Sequence, residues 1–239
     1  MSAGVEQAAE NLVARRNGRE AGPLPPLSED EAYRVQARVL ELLGETVAGW
    51  KVAVVAGRPV AAPVPAGALL PSGSSREQRP GEAFKVETEL GFRLGRDLPR
   101  DGGPYSRDDI LGAIESVHAC FEIVRPRVPE PPATPFHAFL ADNLGCAYLV
   151  AGEDMAPTTL PAEGALRVDG VRVAAGPHPH GDPLAGLLAW ANAQCDAVGG
   201  LRRGQVIITG TYTGALPIHA PGRLEGCFDG LPPVTFSLI

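Results

Sequence analysis

The chain has 239 residues, which is enough for one large domain or two small ones. Hydrophobic residues make up 44% of the chain and charged residues 21%, the composition of an ordinary soluble globular protein. The formal net charge of −7, without a basic stripe, argues against a nucleic-acid-binding surface.

The apolar and cysteine patterns indicate where in the cell the protein resides. No apolar run approaches the ~18 residues that a membrane span needs, and the charges spread over the first twenty residues predict no signal peptide. Cysteines lie far apart, without C-x-x-C spacing, which favours reduced thiols over a disulfide frame or a zinc site. We therefore expect a cytoplasmic protein with no membrane or nucleic-acid partner.

Two helices and a strand are predicted at the start of the chain. Residues 5–16 have helical spacing, and Ser28-Glu29-Asp30-Glu31 is a capping box for a helix that ends at Gly44. The β-branched run 47–55 then predicts a buried strand with Lys51 in its middle. Only two lysines stand against nineteen arginines in this chain. The Lys51 side chain either reaches solvent along apolar neighbours or points into a cavity.

The stretch 84–94 alternates apolar and polar residues, which predicts a strand with one face in the core. Glu87 and Glu89 share its other face, about 7 Å apart at the usual rise of a strand. Like charges this close disfavour each other unless a positive group lies between them. This face is therefore either a solvated surface flanked by basic residues or half of a carboxylate site for a divalent cation.

A third acidic residue lies in the following segment. Residues 108–118 predict a helix, which runs into a strand at 120–124. Glu122 has apolar neighbours on both sides, so its carboxylate is a candidate for burial and needs a partner. The nearby Arg125 or Arg127 could provide it.

The remaining elements complete an α+β pattern. Proline-rich segments at 59–80 and 126–135 predict loops, the first suited to wrapping a site or a subunit contact. Further predicted elements are a strand at 146–150, a hairpin at 166–175, a helix from Asp182 to Gly199, a strand at 205–212 and a closing hairpin at 222–239. Long helices early and late, with strands between them, predict an α+β protein on a mixed, largely antiparallel sheet.

Several motifs, taken in order, resemble the 2-keto-4-pentenoate hydratases of the fumarylacetoacetate hydrolase superfamily. They are Trp50-Lys51, Val86-Glu87-Thr88-Glu89-Leu90, Gly95-Arg96-Asp97-Leu98-Pro99, Phe121-Glu122-Ile123-Val124 with Arg127, Ala141-Asp142-Asn143, and Gly204-x-Val206-Ile207-Ile208-Thr209-Gly210. The resemblance covers about residues 28–239. Its most specific part is the E-x-E pair followed about 33 residues later by the third glutamate.

The resemblance implies a fold and an organisation. It implies an α+β fold with a mixed β-roll or sandwich core of the fumarylacetoacetate hydrolase type and peripheral helices. A single domain of this type would span 1–239, with a helical N-terminal lead at 1–45 and a β-rich catalytic core at 46–239. It also implies a homo-oligomer.

The resemblance implies roles for particular residues. Glu87, Glu89 and Glu122 would ligate Mg²⁺ or Mn²⁺, which suit three acidic ligands with open positions. Lys51 would be the catalytic, proton-transferring group, with a pKa lowered by the nearby cation and by partial desolvation. The substrate would contact Asp142, Asn143, Thr209 and Gly210. His118 and His137 are interpreted as packing or loop histidines, and His178-Pro179-His180 as an adventitious metal site at most.

The implied function is a divalent-metal-dependent lyase, a hydratase of 2-hydroxydienoate or 2-oxo acid substrates in aromatic compound catabolism, working through a metal-stabilised enolate. Alternatives stay open. Leu144-Gly145 follows Asp142-Asn143 where the hydratase pattern has Ala-Ser, and Pro63-Val64-Pro65-Ala66-Gly67 lacks the acid of that pattern. Decarboxylation of a 2-oxo acid, or a non-catalytic, metal-stabilised oligomeric binding protein, fits these departures. C–C hydrolysis is less favoured, because no histidine precedes His118.

Overall fold

The computed structural model describes residues 2–78, 83–156 and 160–239. In these ranges the α-helices are α1 (Ala3–Arg16), α2 (Glu29–Leu43), α3 (Arg107–Leu111), α4 (Phe136–Ala141) and α5 (Ala185–Ala193). The strands are β1 (Val47–Val55), β2 (Arg58–Pro65), β3 (Leu69–Pro71), β4 (Ser74–Arg76), β5 (Phe84–Leu94), β6 (Ile114–Val124), β7 (Cys146–Ala151), β8 (Glu163–Val168), β9 (Val171–Pro177), β10 (Val206–Thr211), β11 (Leu216–Ile218), β12 (Gly222–Phe228) and β13 (Val234–Leu238). No helix within the described ranges has the length and apolar character needed to cross a membrane.

The strands form two mixed sheets. Within the described residues, the first has eight strands in the order β2-β1-β10-β5-β6-β7-β3, with β11 pairing β5, and the second has five in the order β4-β13-β12-β8-β9. The pairs β1–β10, β3–β7 and β4–β13 are parallel, and the ladders between β5, β6 and β7 are antiparallel. The prediction of an α+β protein with a mixed, largely antiparallel sheet is confirmed.

The first sheet is curled, and the curl positions the site. Strands β10 and β5 separate β1 from β6, a gap of about 14 Å in a flat sheet. Nevertheless Lys51 Nζ on β1 lies 2.8 Å from Glu122 Oε1 on β6. Two side chains bridge this gap so closely because the sheet bends towards its Lys51 and Glu122 face.

Each face of the curled sheet has its own packing. On one face, the side chains of Phe84, Val86, Leu90 and Phe92 on β5 join the large core formed with the helices and the second sheet. On the concave face a smaller apolar cluster includes Cys120, which lies opposite Glu89 in the ladder. Glu87 and Glu89 therefore share a face with this small cluster, as the period of two in the sequence predicts.

Local signals for the early helices and strands are confirmed. The Ser28 hydroxyl accepts from the backbone N–H of Glu31 at 3.2 Å, and the Glu31 carboxylate accepts from the Ser28 N–H at 3.0 Å, so the capping box is closed. Gly44 ends the helix with a φ of 66°, in the left-handed region where glycine is favoured. The strands predicted at 47–55 and 84–94 have those bounds.

The loop predicted at 59–80 is wrong over its described part. Residues 58–65 form β2, and β3 and β4 follow at 69–71 and 74–76, while 79–80 lie outside the described residues. Strand β2 lies at the end of its sheet and pairs only with β1 in the described fold. An edge strand tolerates prolines because its outer N–H positions need no ladder partner, so proline content misled the prediction.

Two predicted helices are too long. The helix predicted at 108–118 ends at Leu111, and Ile114 already begins β6, because pairing with β5 fixes this segment as strand in spite of its helical spacing. The helix predicted from Asp182 to Gly199 covers only Ala185–Ala193 and ends where Gln194 takes a left-handed φ of 30°. Local spacing gave the existence of both helices but not their ends.

Candidate metal centre

Three glutamates meet on the concave face of the first sheet. Glu87 lies directly opposite Glu122 in the β5–β6 ladder, and Glu89 is two residues further along β5. One carboxylate oxygen from each residue lies within 4.8 Å of the others. Glu89 and Glu122 are buried, and Glu87 is partly exposed. The structure thus brings together the three residues that the sequence singled out.

The three carboxylates carry more negative charge than their surroundings balance. Burial raises the pKa of Glu89 well above its usual range, and the charges of Glu87 and Glu122 add to the effect. Burial also raises the pKa of Glu122, to about 7, against the opposing charge of Lys51. Glu122 Oε2 is buried without a hydrogen-bond partner among the described residues. A hard divalent cation with oxygen ligands fits such a donor set.

Lys51 points into this cluster. Its Nζ donates to Glu122 Oε1 at 2.8 Å and lies 3.5 Å from the Leu144 carbonyl oxygen. The side chain is 15% exposed, so of the two sequence alternatives the structure selects the inward one. The buried partner of Glu122 is therefore Lys51, and not Arg125 or Arg127 as the sequence suggested. Sequence proximity favoured the arginines, whereas the curl of the sheet brings in a residue 71 positions away.

The predicted lowering of the Lys51 pKa depends on a bound cation and stays a prediction, whereas the protein's own charged groups have the opposite effect. Burial by itself lowers that pKa, but the negative charges of Glu122 and Glu87 outweigh burial and raise it above its usual range. The sequence argument counted a cation and desolvation but had no means of placing a carboxylate against Nζ. Lys51 therefore holds its proton firmly in the described structure.

Asp142 and Asn143 hold the turn that lies beside Lys51. Asp142 Oδ1 accepts from Arg127 Nε at 2.6 Å, and Oδ2 accepts from the backbone N–H groups of Arg127 at 2.6 Å and Val128 at 3.2 Å. Asn143 Nδ2 donates to the Pro63 carbonyl at 2.8 Å, while Oδ1 is buried without a partner in the described structure. Both Asp142 oxygens are thus engaged within the protein, and substrate contact by this pair stays a prediction.

A left-handed turn follows at 143–145. Asn143, Leu144 and Gly145 have φ values of 54°, 52° and 77°, and the first two are in a region that residues with a side chain rarely adopt. A Cβ at Gly145 would meet side-chain atoms of Pro126, Phe139 and Val124 at 3.1–3.2 Å. A serine at this position would be tightly packed and strained by the positive φ, which fits the glycine that stands here in place of the serine of the hydratase pattern.

Thr209 and Gly210 border the site through different groups. Gly210 donates its backbone N–H to Glu89 Oε2 at 2.6 Å. The Thr209 hydroxyl instead donates to the Pro183 carbonyl at 2.6 Å, away from the glutamates. Between Ile208 and Thr211 the register against β5 shifts, so the Gly210 N–H faces a side chain and not a ladder carbonyl.

Two groups at the site were missed by sequence reasoning. The Leu144 carbonyl lies beside Lys51, and the Cys146 thiol interacts with Glu122 while burial raises the pKa of that thiol. Neither has a sequence signal, because one is a backbone oxygen and the other is one of several isolated cysteines. Both follow from the path of the chain after α4.

Comparison with known proteins finds hydratases that are similar in sequence and a decarboxylase that is similar in fold. No family model matches it. It is 27% identical to the 2-hydroxyhexa-2,4-dienoate hydratase of Comamonas testosteroni, over 91% of this chain and 90% of the relative. It is 29% identical to the 2-keto-4-pentenoate hydratase of Paraburkholderia xenovorans strain LB400, over 93% and 90% respectively. The predicted resemblance to the 2-keto-4-pentenoate hydratases is confirmed.

One solved structure has the same fold as this chain. The 4-oxalocrotonate decarboxylase of Pseudomonas putida G7, complexed with magnesium and adipate, superposes with a TM-score of 0.85. The alignment covers 98% of this chain and 97% of the decarboxylase at 22% identity. One fold thus accommodates a chain related to hydratases and an enzyme named for decarboxylation.

Proposed function

We propose that the chain is a divalent-metal-dependent lyase of the hydratase type that acts on small 2-hydroxydienoate or 2-oxo acid substrates. The observation that carries the proposal is the meeting of Glu87, Glu89 and Glu122 with Lys51 in one buried site. Identity of 27–29% with named hydratases over most of the chain supports the reaction class.

Glu87, Glu89 and Glu122 would hold the metal, and their oxygen donors suit Mg²⁺ or Mn²⁺. When bound, the ion supplies Lewis-acid stabilisation of negative charge on the substrate's 2-oxygen. The unpartnered Glu122 Oε2 and the raised pKa of Glu89 support the fit, because both reflect more negative charge than Lys51 balances.

Lys51 would hold and deliver the proton. Glu122 Oε1 accepts from Nζ and the Leu144 carbonyl lies 3.5 Å away, so two oxygens fix the direction of the ammonium group. The raised pKa keeps Lys51 protonated, and a cation on the glutamates would offset the negative charge that raises it, which would let Lys51 act as a general acid towards the carbon skeleton of the substrate. Asp142, Asn143, Thr209 and Gly210 would contribute to substrate binding chiefly through the backbone that they shape.

Decarboxylation of a 2-oxo acid is the second candidate. Gly145 stands where the hydratase pattern has a serine, in a tightly packed turn, and the decarboxylase superposes over nearly the whole chain. An enolate stabilised in the same way serves loss of a carboxylate as well as addition of water.

The proposal also covers the arrangement of the two sheets, the domain organisation and the cellular setting. We infer that the curled sheet and the second sheet form a β-roll within one domain, spanning the helical lead at 1–45 and the catalytic core at 46–239. The packing of α1 and α2 side chains into the large core supports one unit. A homo-oligomeric, cytoplasmic enzyme of aromatic compound catabolism is the setting we propose.

The test is a substrate panel with purified protein and Mg²⁺ or Mn²⁺. Loss of dienol absorbance without CO₂ release identifies hydration, and CO₂ release identifies decarboxylation. Metal-dependent turnover of either kind supports the lyase. If no 2-hydroxydienoate or 2-oxo acid is turned over while the metal binds, the proposal fails and the non-catalytic binding protein takes its place.

A further inference from the structure

The loop at 178–183 lies against the bulge of β10, where the Gly210 N–H bonds Glu89. The Thr209 hydroxyl donates to the Pro183 carbonyl at 2.6 Å, which fixes the loop to the bulge. Asp182 is held by Arg107 through two hydrogen bonds of 2.9 and 3.2 Å, so the loop is also tied to α3. A loop anchored at both places forms a preformed wall next to the site.

His178 is the buried side chain of this wall. It is 4% exposed, whereas His180, two residues further on, is exposed. Its Nδ1 accepts from the backbone N–H of His180 at 3.3 Å, and its ring meets the Tyr212 ring edge-on at 5.3 Å between centroids. Burial lowers the pKa of His178 against a smaller opposing effect of the Thr209 carbonyl, which keeps the ring neutral with its proton on Nε2.

The Nε2 edge of this ring faces the backbone of Gly210. A Cβ built on Gly210 would lie 3.0 Å from Nε2, which is closer than side chains normally pack. Nε2 is buried and has no hydrogen-bond partner in the part of the chain that the structure describes. The ring thus occupies the place that a side chain at residue 210 would take.

Gly210 has an unusual backbone conformation, and its N–H donates to a proposed metal ligand. Its φ of 138° is rarely adopted by residues other than glycine, and it lies where the β10 register shifts. Its N–H donates to Glu89 Oε2 at 2.6 Å, a short bond to a buried carboxylate. A glycine is free to rotate this peptide away unless a neighbour prevents it.

We propose that His178 is a positioning residue of the metal centre: its imidazole packs on the Gly210 backbone and holds the Gly210 N–H against Glu89. Tyr212 supports the arrangement from the other side, since its ring packs on His178 while its N–H donates to the Thr88 carbonyl of β5 at 2.8 Å. The inference rests on the proposed metal-dependent function.

The experiment measures Mg²⁺ binding by calorimetry and the hydrogen-exchange rate of the Gly210 amide by NMR. His178→Ala should weaken Mg²⁺ binding about ten- to hundredfold, the usual effect of losing a group that orients a ligand, and should speed exchange at Gly210. His178→Gln, which can reach the same place, should recover part of the affinity. His180→Ala is the matched control and should leave both measurements unchanged.

Gly210→Ala tests the same contact without altering His178. It should weaken Mg²⁺ binding because its Cβ meets the ring, and the loss should be smaller when His178→Ala is combined with it, since the strain of φ is common to both backgrounds. Wild-type affinity and wild-type Gly210 exchange in His178→Ala, or Mg²⁺ binding by Gly210→Ala equal to wild type, overturn the inference. Failure of the unaltered protein to bind Mg²⁺ instead overturns the proposed function, and Gly210 exchange then still decides whether His178 holds this peptide.

Discussion

Two buried groups of charged residues differ in how well their charges and hydrogen bonds are satisfied. Arg127 donates to Asp142 Oδ1, to the Asp142 carbonyl and to the carbonyls of Arg125 and Cys146, while Asp142 also accepts two backbone N–H groups. Every nitrogen of the Arg127 guanidinium and both carboxylate oxygens of Asp142 therefore have a hydrogen-bond partner.

The glutamate cluster has no such balance. Lys51 faces three carboxylates, one Glu122 oxygen has no partner among the described residues, and the pKa values of Glu89 and Glu122 are raised. The comparison teaches that a buried charge with every bond satisfied supports the fold, whereas surplus charge of one sign indicates a site with a ligand. Four tests, each on its own residue, can break or sharpen this contrast.

The largest effect is expected at Lys51. Lys51→Met should reduce turnover by about two to four orders of magnitude, the usual contribution of a general acid or base, while Mg²⁺ still binds. Lys51→Arg should not restore activity, because a guanidinium cannot exchange its proton at working pH. Steady-state kinetics on the substrate identified by the panel measure both.

Lys85→Met is the matched control, since the other lysine of the chain pairs with Glu130 at the half-exposed start of β5. It should keep turnover within a few-fold of wild type. Activity of Lys51→Met at that same level would remove Lys51 from the mechanism.

Breaking the satisfied pair should affect stability and not chemistry. Asp142→Ala leaves Arg127 buried without its carboxylate and should lower the free energy of unfolding by about 3–5 kcal/mol. Urea denaturation measures the loss. Little change in the denaturation midpoint, together with a raised KM, would instead place Asp142 in substrate binding, as the sequence resemblance implied.

The glutamate cluster, in contrast, should gain stability when it binds metal. Mg²⁺ at a hundred times its dissociation constant should raise the free energy of unfolding of the wild-type protein by about 2.7 kcal/mol. Glu89→Gln should abolish most of this gain, because a neutral amide replaces a charged oxygen ligand. Thermal unfolding with and without Mg²⁺ measures the gain, and the exposed Glu115→Gln is the control that should keep it. Equal stabilisation of both variants would refute the metal assignment.

The smallest effect tests the broken hydratase pattern. Gly145→Ser should lower the free energy of unfolding by about 1–3 kcal/mol, because residue 145 has a φ of 77° and neighbours at 3.1–3.2 Å from a Cβ. Denaturant unfolding measures this change. A serine variant as stable as the wild-type protein would show that the position has room for a side chain and that packing does not explain the glycine.

The sequence by itself determined the features that depend on neighbouring residues. The period of two in 84–94 placed Glu87 and Glu89 on one face, and the capping box at Ser28 fixed the start of α2. The order of the motifs then identified Glu122 as the third acid. Each of these signals is local in the chain or carried by its spacing, so no knowledge of the packed fold was needed.

Only the tertiary structure decided which residues meet across the curled sheet. Lys51 replaced the neighbouring arginines as the partner of Glu122, whose negative charge raises the Lys51 pKa. The Gly210 N–H likewise reached Glu89, and the ring of His178 reached Gly210, from distant segments. These contacts depend on the curl, the register shift in β10 and the turn at 143–145. Curvature arises from the packing of the whole sheet, and residue periodicity along a single strand does not specify it.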